Sequence, residues 1–151
     1  MNINFNVLSR ILADIEQQQY NQTGEIAVAM FEYCNDKSGC IEFYDESTLK
    51  SHLFLMFINL NDLKSELESR GFDCERLFDT DVSMENLDKA LETIEKDTSI
   101  SSVTRVASLI YCCTGQGKIS FYDVESDDFH IVATFGTFEE MESKLRYLGY
   151  L

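Results

Sequence analysis

The chain has 151 residues, 12 of them basic and 27 acidic, for a net charge of −15, and 44% of it is apolar. That length suits one domain, or two small ones sharing a core, and buries about two-thirds of the unfolded surface with no need of a staple. The charge excludes direct nucleic-acid binding and docking on anionic membranes, both of which need clustered Lys and Arg, and it favours a basic protein as partner.

The first predicted element is a helix over Phe5–Gln19, with Leu8, Ile11, Leu12 and Ile15 at helical spacing. Its flank carries no signal-peptide apolar run, and acids enter at Asp14 and Glu16. The apolar run "HLFLMFINL" is too short to span a membrane. Five cysteines, an odd number, then read as reduced thiols in a cytoplasm.

Three strands follow, over Glu25–Cys34, Cys40–Tyr44 and His52–Ile58. "NDKSG" makes the first hairpin, with Gly39 available for a positive φ. A helix opens at Asn59 with Asp62 at capping-box spacing and stops at Gly71, with Phe72 as the apolar contact of the cap. The segment "FDCERLFDTDVS" is acidic but contains Leu77 and Phe78, so it packs rather than swings.

The same order then recurs. A helix over Met84–Asp97, with Ser83 as N-cap, precedes strands over Thr104–Cys113, Lys118–Tyr122 and Phe129–Phe135, and a helix opens at Thr137 with Glu140 and stops at Gly149. Shifted by 78 positions, Ala27–Phe72 overlays Arg105–Tyr150 without a gap. "CIEFYD" (Cys40–Asp45) meets "KISFYD" (Lys118–Asp123), Tyr33-Cys34 meets Tyr111-Cys112, and His52 meets His130. Upstream, with one residue of slippage, Leu8, Leu12, Ile15 and Glu16 meet Leu87, Leu91, Ile94 and Glu95. The expected fold is therefore α+β: a tandem duplication of a helix–three-strand–helix unit, residues 1–73 and 74–151, in one compact domain. Its antiparallel strands carry helices on one face, and its halves are related by a pseudo-twofold axis.

Alternation assigns Ala27, Ala29, Phe31, Tyr33, Ile41, Phe43, Leu53, Leu55 and Phe57 to the helix-facing side, and Val28, Met30, Glu32, Cys34, Tyr44, His52, Phe54 and Met56 to the other. The second set is too apolar to stand in water, and the other half of the chain is its expected cover. Cys34 with His52, and Cys112 with His130, would make a metal or nucleophile–base site if the halves faced each other; as single residues they read as a small buried hydrophobe and a hydrogen-bonded sheet residue. Asp45 and Asp123 end a repeated strand, where an Asp side chain folds back on the turn. Glu46 sits beside the first, and Glu125, Asp127 and Asp128 lie on the loop after the second; this acidic rim is the expected contact for a cationic partner. No P-loop, dinucleotide fingerprint, nucleophile elbow or zinc-protease helix occurs, and no cofactor is expected.

In size, acidity and lack of catalytic motifs the chain resembles bacterial immunity proteins. That resemblance implies a non-enzymatic, stoichiometric inhibitor of a basic, nuclease-like toxin, acting as a monomer or weak dimer. Acidic type III secretion chaperones are similar in size and in α/β alternation and supply the alternative; a Cys/His metal protein or enzyme is the third reading. The order of elements is also similar to that of the double-stranded-RNA-binding domain. Where that domain has a Lys-rich start to its last helix, this chain has "NLNDLK" and "TFEEME".

Overall fold

A computed structural model describes residues 2–80, 83–97 and 105–151 of the chain. Among these residues the elements run α1 (Phe5–Thr23), β1 (Ala27–Cys34), β2 (Gly39–Asp45), β3 (Lys50–Phe57), α2 (Leu60–Ser69), α3 (Glu85–Lys96), β4 (Arg105–Cys112), β5 (Gly117–Asp123), β6 (Asp128–Phe135) and α4 (Phe138–Tyr147). The six strands form one antiparallel sheet in the order β3-β2-β1-β4-β5-β6. Thr104, Asp81 and Val82, which fall in the predicted strand and linker, lie outside the described residues.

Local signals account for most element ends. Asn4 caps α1 by accepting from the N–H groups of Asn6 and Val7, and Gly24, at φ 72°, ends it four residues later than the spacing predicts. Asn59 and Thr137 cap α2 and α4 through the N–H groups of Asp62 and Glu140. The Asp62 and Glu140 carboxylates reach back one residue beyond the cap, to the N–H groups of Ile58 and Gly136. Gly71 and Gly149 take φ 87° and 86°. The N–H groups of Phe72 and Tyr150 then bond the carbonyls of Leu67 and Leu145, closing a Schellman turn at each helix end. At α3 the cap position falls on Met84, and Ser83 instead accepts from the Glu85 N–H. The linker packs as expected: Leu77 is fully buried and its carbonyl accepts from the Asn4 N–H at 2.7 Å.

In the hairpins the positive φ falls on Lys37 (70°) and Gly115 (89°), not on Gly39 or Gly117. A lysine in the left-handed region carries a Cβ clash that glycine lacks, so Lys37→Gly is expected to raise stability by about 0.5–1 kcal/mol. Thermal unfolding of the variant checks this; a lowered midpoint would contradict it.

One core joins the elements: Leu8, Leu12 and Ile15 of α1, Leu63 and Leu67 of α2, Leu87, Leu91 and Ile94 of α3, and Met141 and Leu145 of α4 meet the buried alternate residues of all six strands. Aromatic contacts cross between the chain's first and second halves, with Phe5 of α1 stacked on Phe138 at 4.4 Å and edge-on to Tyr111 at 5.0 Å.

Two corrections to the sequence reading bear on function. First, β3 and β6 each carry a bulge. Ile41 pairs Leu55 while Glu42 pairs Leu53, and Ile119 pairs Ala133 while Ser120 pairs Ile131. Phe54 and Val132 are the extra residues, and both pack against the core. Because side chains alternate with period two, the bulge reverses every residue before it. Leu53 and Ile131 move to the open face (55% and 61% exposed), and His52 and His130 move to the helix side, where they stack on Phe43 and Phe121. Second, the two halves do not stack. β1 pairs β4 side by side, from Met30 opposite Cys112 to Cys34 opposite Ser108. This pairing satisfies two backbone edges that stacking would leave bare, and it leaves the second sheet face uncovered.

Candidate functional site

The open face is read row by row from the register. The central row runs Met56, Cys40, Glu32, Ile110, Lys118, Thr134 across the six strands. One flanking row holds Leu53, Glu42, Met30 and Cys112, and the other Cys34, Ser108, Ser120 and Ile131. The outer strands are apolar and solvated, with Met56 65% and Phe129 64% exposed. Ser108 and Ser120 of the inner strands are buried, and Ser120 Oγ has no hydrogen-bond partner among the described residues.

Charge divides this face. On the first-half strands the Cys40 thiol donates to Glu32 Oε2 at 3.1 Å and lies 3.8 Å from Glu42 Oε1. Burial and then the Glu32 carboxylate push the Glu42 pKa up, and burial followed by the bond to Glu32 pushes the Cys40 thiol up. Among the described residues these three are the one group of Cys, His, Asp and Glu side chains close enough to share a cation. Lys118 is the cation of the second-half strands on this face, at the position equivalent to Cys40.

The Cys/His constellation does not assemble. Cys34 and Cys112 open on the uncovered face while His52 and His130, both exposed, stand on the opposite side of the sheet, stacked on Phe43 and Phe121, so neither pair can share a metal or a proton. Burial, reinforced by Asp36 and Glu32, holds the Cys34 thiol at about 11, and burial also raises Cys112. At neutral pH both are protonated and weakly nucleophilic.

The six predicted rim residues divide into two sets at opposite ends of the sheet, because β2–β3 and β5–β6 turn at opposite ends of an antiparallel array. Asp45 and Asp123 are buried turn acceptors. Asp45 takes the N–H groups of Ser47 and Thr48 and the Ser47 hydroxyl, and Asp123 takes the N–H groups of Glu125 and Ser126. Glu46, Glu125, Asp127 and Asp128 are exposed, and none makes an ion pair among the described residues. The Asp127 carboxylate accepts from the Tyr122 hydroxyl.

The Ser47 hydroxyl bond holds the Asp45 carboxyl down to about 2, below the ordinary 3.8, while the neighbouring Asp45 raises Glu25. A carboxyl depressed by folding stabilises the fold above its unfolded pKa and loses that contribution as pH falls through its folded one. Stability is therefore expected to fall between about pH 4 and pH 2, by a step that Asp45→Asn removes. Acid denaturation curves that coincide for the two proteins would contradict this.

Two further residues, Glu16 and Glu95, act as a pair that helical spacing alone does not single out. Glu16 Oε1 accepts from the Ala29 N–H and Glu95 Oε1 from the Ala107 N–H, each at 2.9 Å. These amides lie where β1 and β4 run past their mutual pairing. The 79-residue offset aligning Glu16 with Glu95 is the signal that could have found them. No family model, curated protein or solved structure matches the chain. Among the described residues no helix is long and apolar enough to cross a membrane.

Proposed function

We propose that the protein is a non-enzymatic acidic binding protein, a stoichiometric inhibitor that neutralises a basic protein of the nuclease class as an immunity protein does. The observation that carries this reading is the construction of the two turns. Each folds one carboxylate inward as its structural acceptor and leaves the others exposed and, among the described residues, in no ion pair. On a molecule of net charge −15, such groups raise the encounter rate with a cationic surface and match the Lys and Arg with which a nuclease holds phosphate. The five free thiols suit a reducing cytoplasm.

We infer further that the chain arose by tandem duplication and that its halves are related by a pseudo-twofold axis. Supporting this, Glu32 lies opposite Ile110, its counterpart 78 residues on, at the centre of the β1–β4 pairing. The bulges, turns and helix caps also recur at that offset.

The test is association kinetics with a basic single-domain protein that the full chain inhibits. Replacing Glu125 by Gln and Asp127 and Asp128 by Asn is expected to lower the association rate about tenfold at low salt and to leave dissociation nearly unchanged. An association rate indifferent to the triple change and to salt would overturn the reading.

The uncovered apolar face favours a second reading, an acidic secretion chaperone holding an extended client. A captured partner that is unfolded and engages the edge of β3 or β6 would mark it.

A further inference from the structure

The open sheet face needs a cover, and its pattern of charge selects one. Two twofold operations lay a second copy face to face on the first. An axis running across the strands sets Glu32 and Glu42 against their own copies, bringing like charges together. An axis running along the strands, between β1 and β4, sets the first-half strands of one copy over the second-half strands of the other. Lys118 then falls over Cys40 of its partner, between the carboxylates of Glu32 and Glu42, and the contact is made twice. The outer strands follow: β3, with Leu53 and Met56 exposed, lies over β6, with Ile131 exposed. Such an arrangement is isologous and closes as a dimer.

We infer that a second copy of this chain covers the open face as a face-to-face dimer, held by the Lys118 ammonium of each copy in the Glu32–Cys40–Glu42 cluster of the other. The scale is sufficient. Six strands about 4.8 Å apart and about seven residues long give a footprint of roughly 650 Å² before side-chain relief, near the roughly 800 Å² per partner of a standard interface. The face is also the right part of the surface for self-association. Among the described residues its charges are Glu32, Glu42 and Lys118, while the rest of the acidic excess lies on helices, turns and loops. Of the turn carboxylates, Asp127 reaches the edge of this face through the Tyr122 hydroxyl, so the response to salt is what separates this inference from the proposed inhibition.

Sedimentation equilibrium of the full chain tests it. The expected particle has about twice the 17.4 kDa chain mass. Lys118→Glu is expected to weaken the dimer by at least roughly tenfold, since it leaves buried carboxylates facing a third, and adding Glu32→Lys is expected to recover most of the loss. Ile131→Asp places a charge in the apolar part of the contact and is expected to give a monomer; circular dichroism identifies variants that are folded. Added salt strengthens this dimer, by screening two copies of charge −15 from each other, while it weakens association with a cationic protein. The two proposals therefore fail separately. A chain that is monomeric at all concentrations overturns the inference, as does a dimer that withstands Lys118→Glu and Ile131→Asp, or one that the charge swap does not restore.

Discussion

Gly39→Ala is expected to cost about 4 kcal/mol or more of folding stability, close to the whole reserve of a small domain, and Gly117→Ala the same. Neither glycine is needed for its backbone angle. A Cβ at Gly39 would lie 2.0 Å from the Glu32 carbonyl oxygen and 2.7 Å from Phe57 Cζ; at Gly117 it would lie 2.3 Å from the Ile110 carbonyl oxygen and 2.6 Å from Phe135 Cζ. The Phe57 and Phe135 rings lie on these glycines from the buried side of the edge strands, so the added atom must displace an aromatic core residue and spread β1 from β2, or β4 from β5. Gly71 is the control. It takes φ 87° with nothing within 4 Å of an added Cβ, so Gly71→Ala is expected to cost only about 1–2 kcal/mol of backbone strain. Urea unfolding midpoints separate the two effects, and Gly39→Ala no worse than Gly71→Ala would contradict the close approach.

The second large effect is expected at Glu16 and Glu95, where truncation to Ala costs about 2–3 kcal/mol each. The Ala29 and Ala107 amides are fully buried, and each finds its acceptor in a helix carboxylate because the β1–β4 pairing stops short of it. Removing the carboxylate strands a buried donor, which costs more than the bond itself contributes. Glu16→Gln keeps a carbonyl acceptor at the same reach and is expected to lose less than half as much. Hydrogen exchange at Ala29 and Ala107 reads the same point locally. Protection at Ala29 that is unchanged in Glu16→Ala would contradict the assignment.

These residues mark how far the sequence reaches. Asn59 with Gly71 and Thr137 with Gly149 delimit α2 and α4 because capping is local chemistry, carried within a few residues of the helix end. The buried alternates of β1 and β4 are legible for the same reason, since period two is a property of one strand. The bulges at Phe54 and Val132 are not legible, because an extra residue is defined only against a partner strand's register. That one residue in each half moves His52 and His130 away from Cys34 and Cys112 and dissolves the metal or catalytic constellation that spacing alone suggested. The joining of β1 to β4 is likewise non-local, so the sequence cannot distinguish halves that stack from halves that extend one sheet. Asp45 and Asp123 show the limit at the candidate site: their turn chemistry is readable, but the burial of the two carboxylates, which accept from the Ser47 and Glu125 N–H groups, is not.

The most direct measurement of the central claim is capture of partners on the full chain at low salt, followed by determination of the retained protein's isoelectric point and its stoichiometry with the chain. One basic protein per chain is expected, its activity blocked in the complex, released as salt rises. An acidic partner, or a complex indifferent to salt, would contradict it.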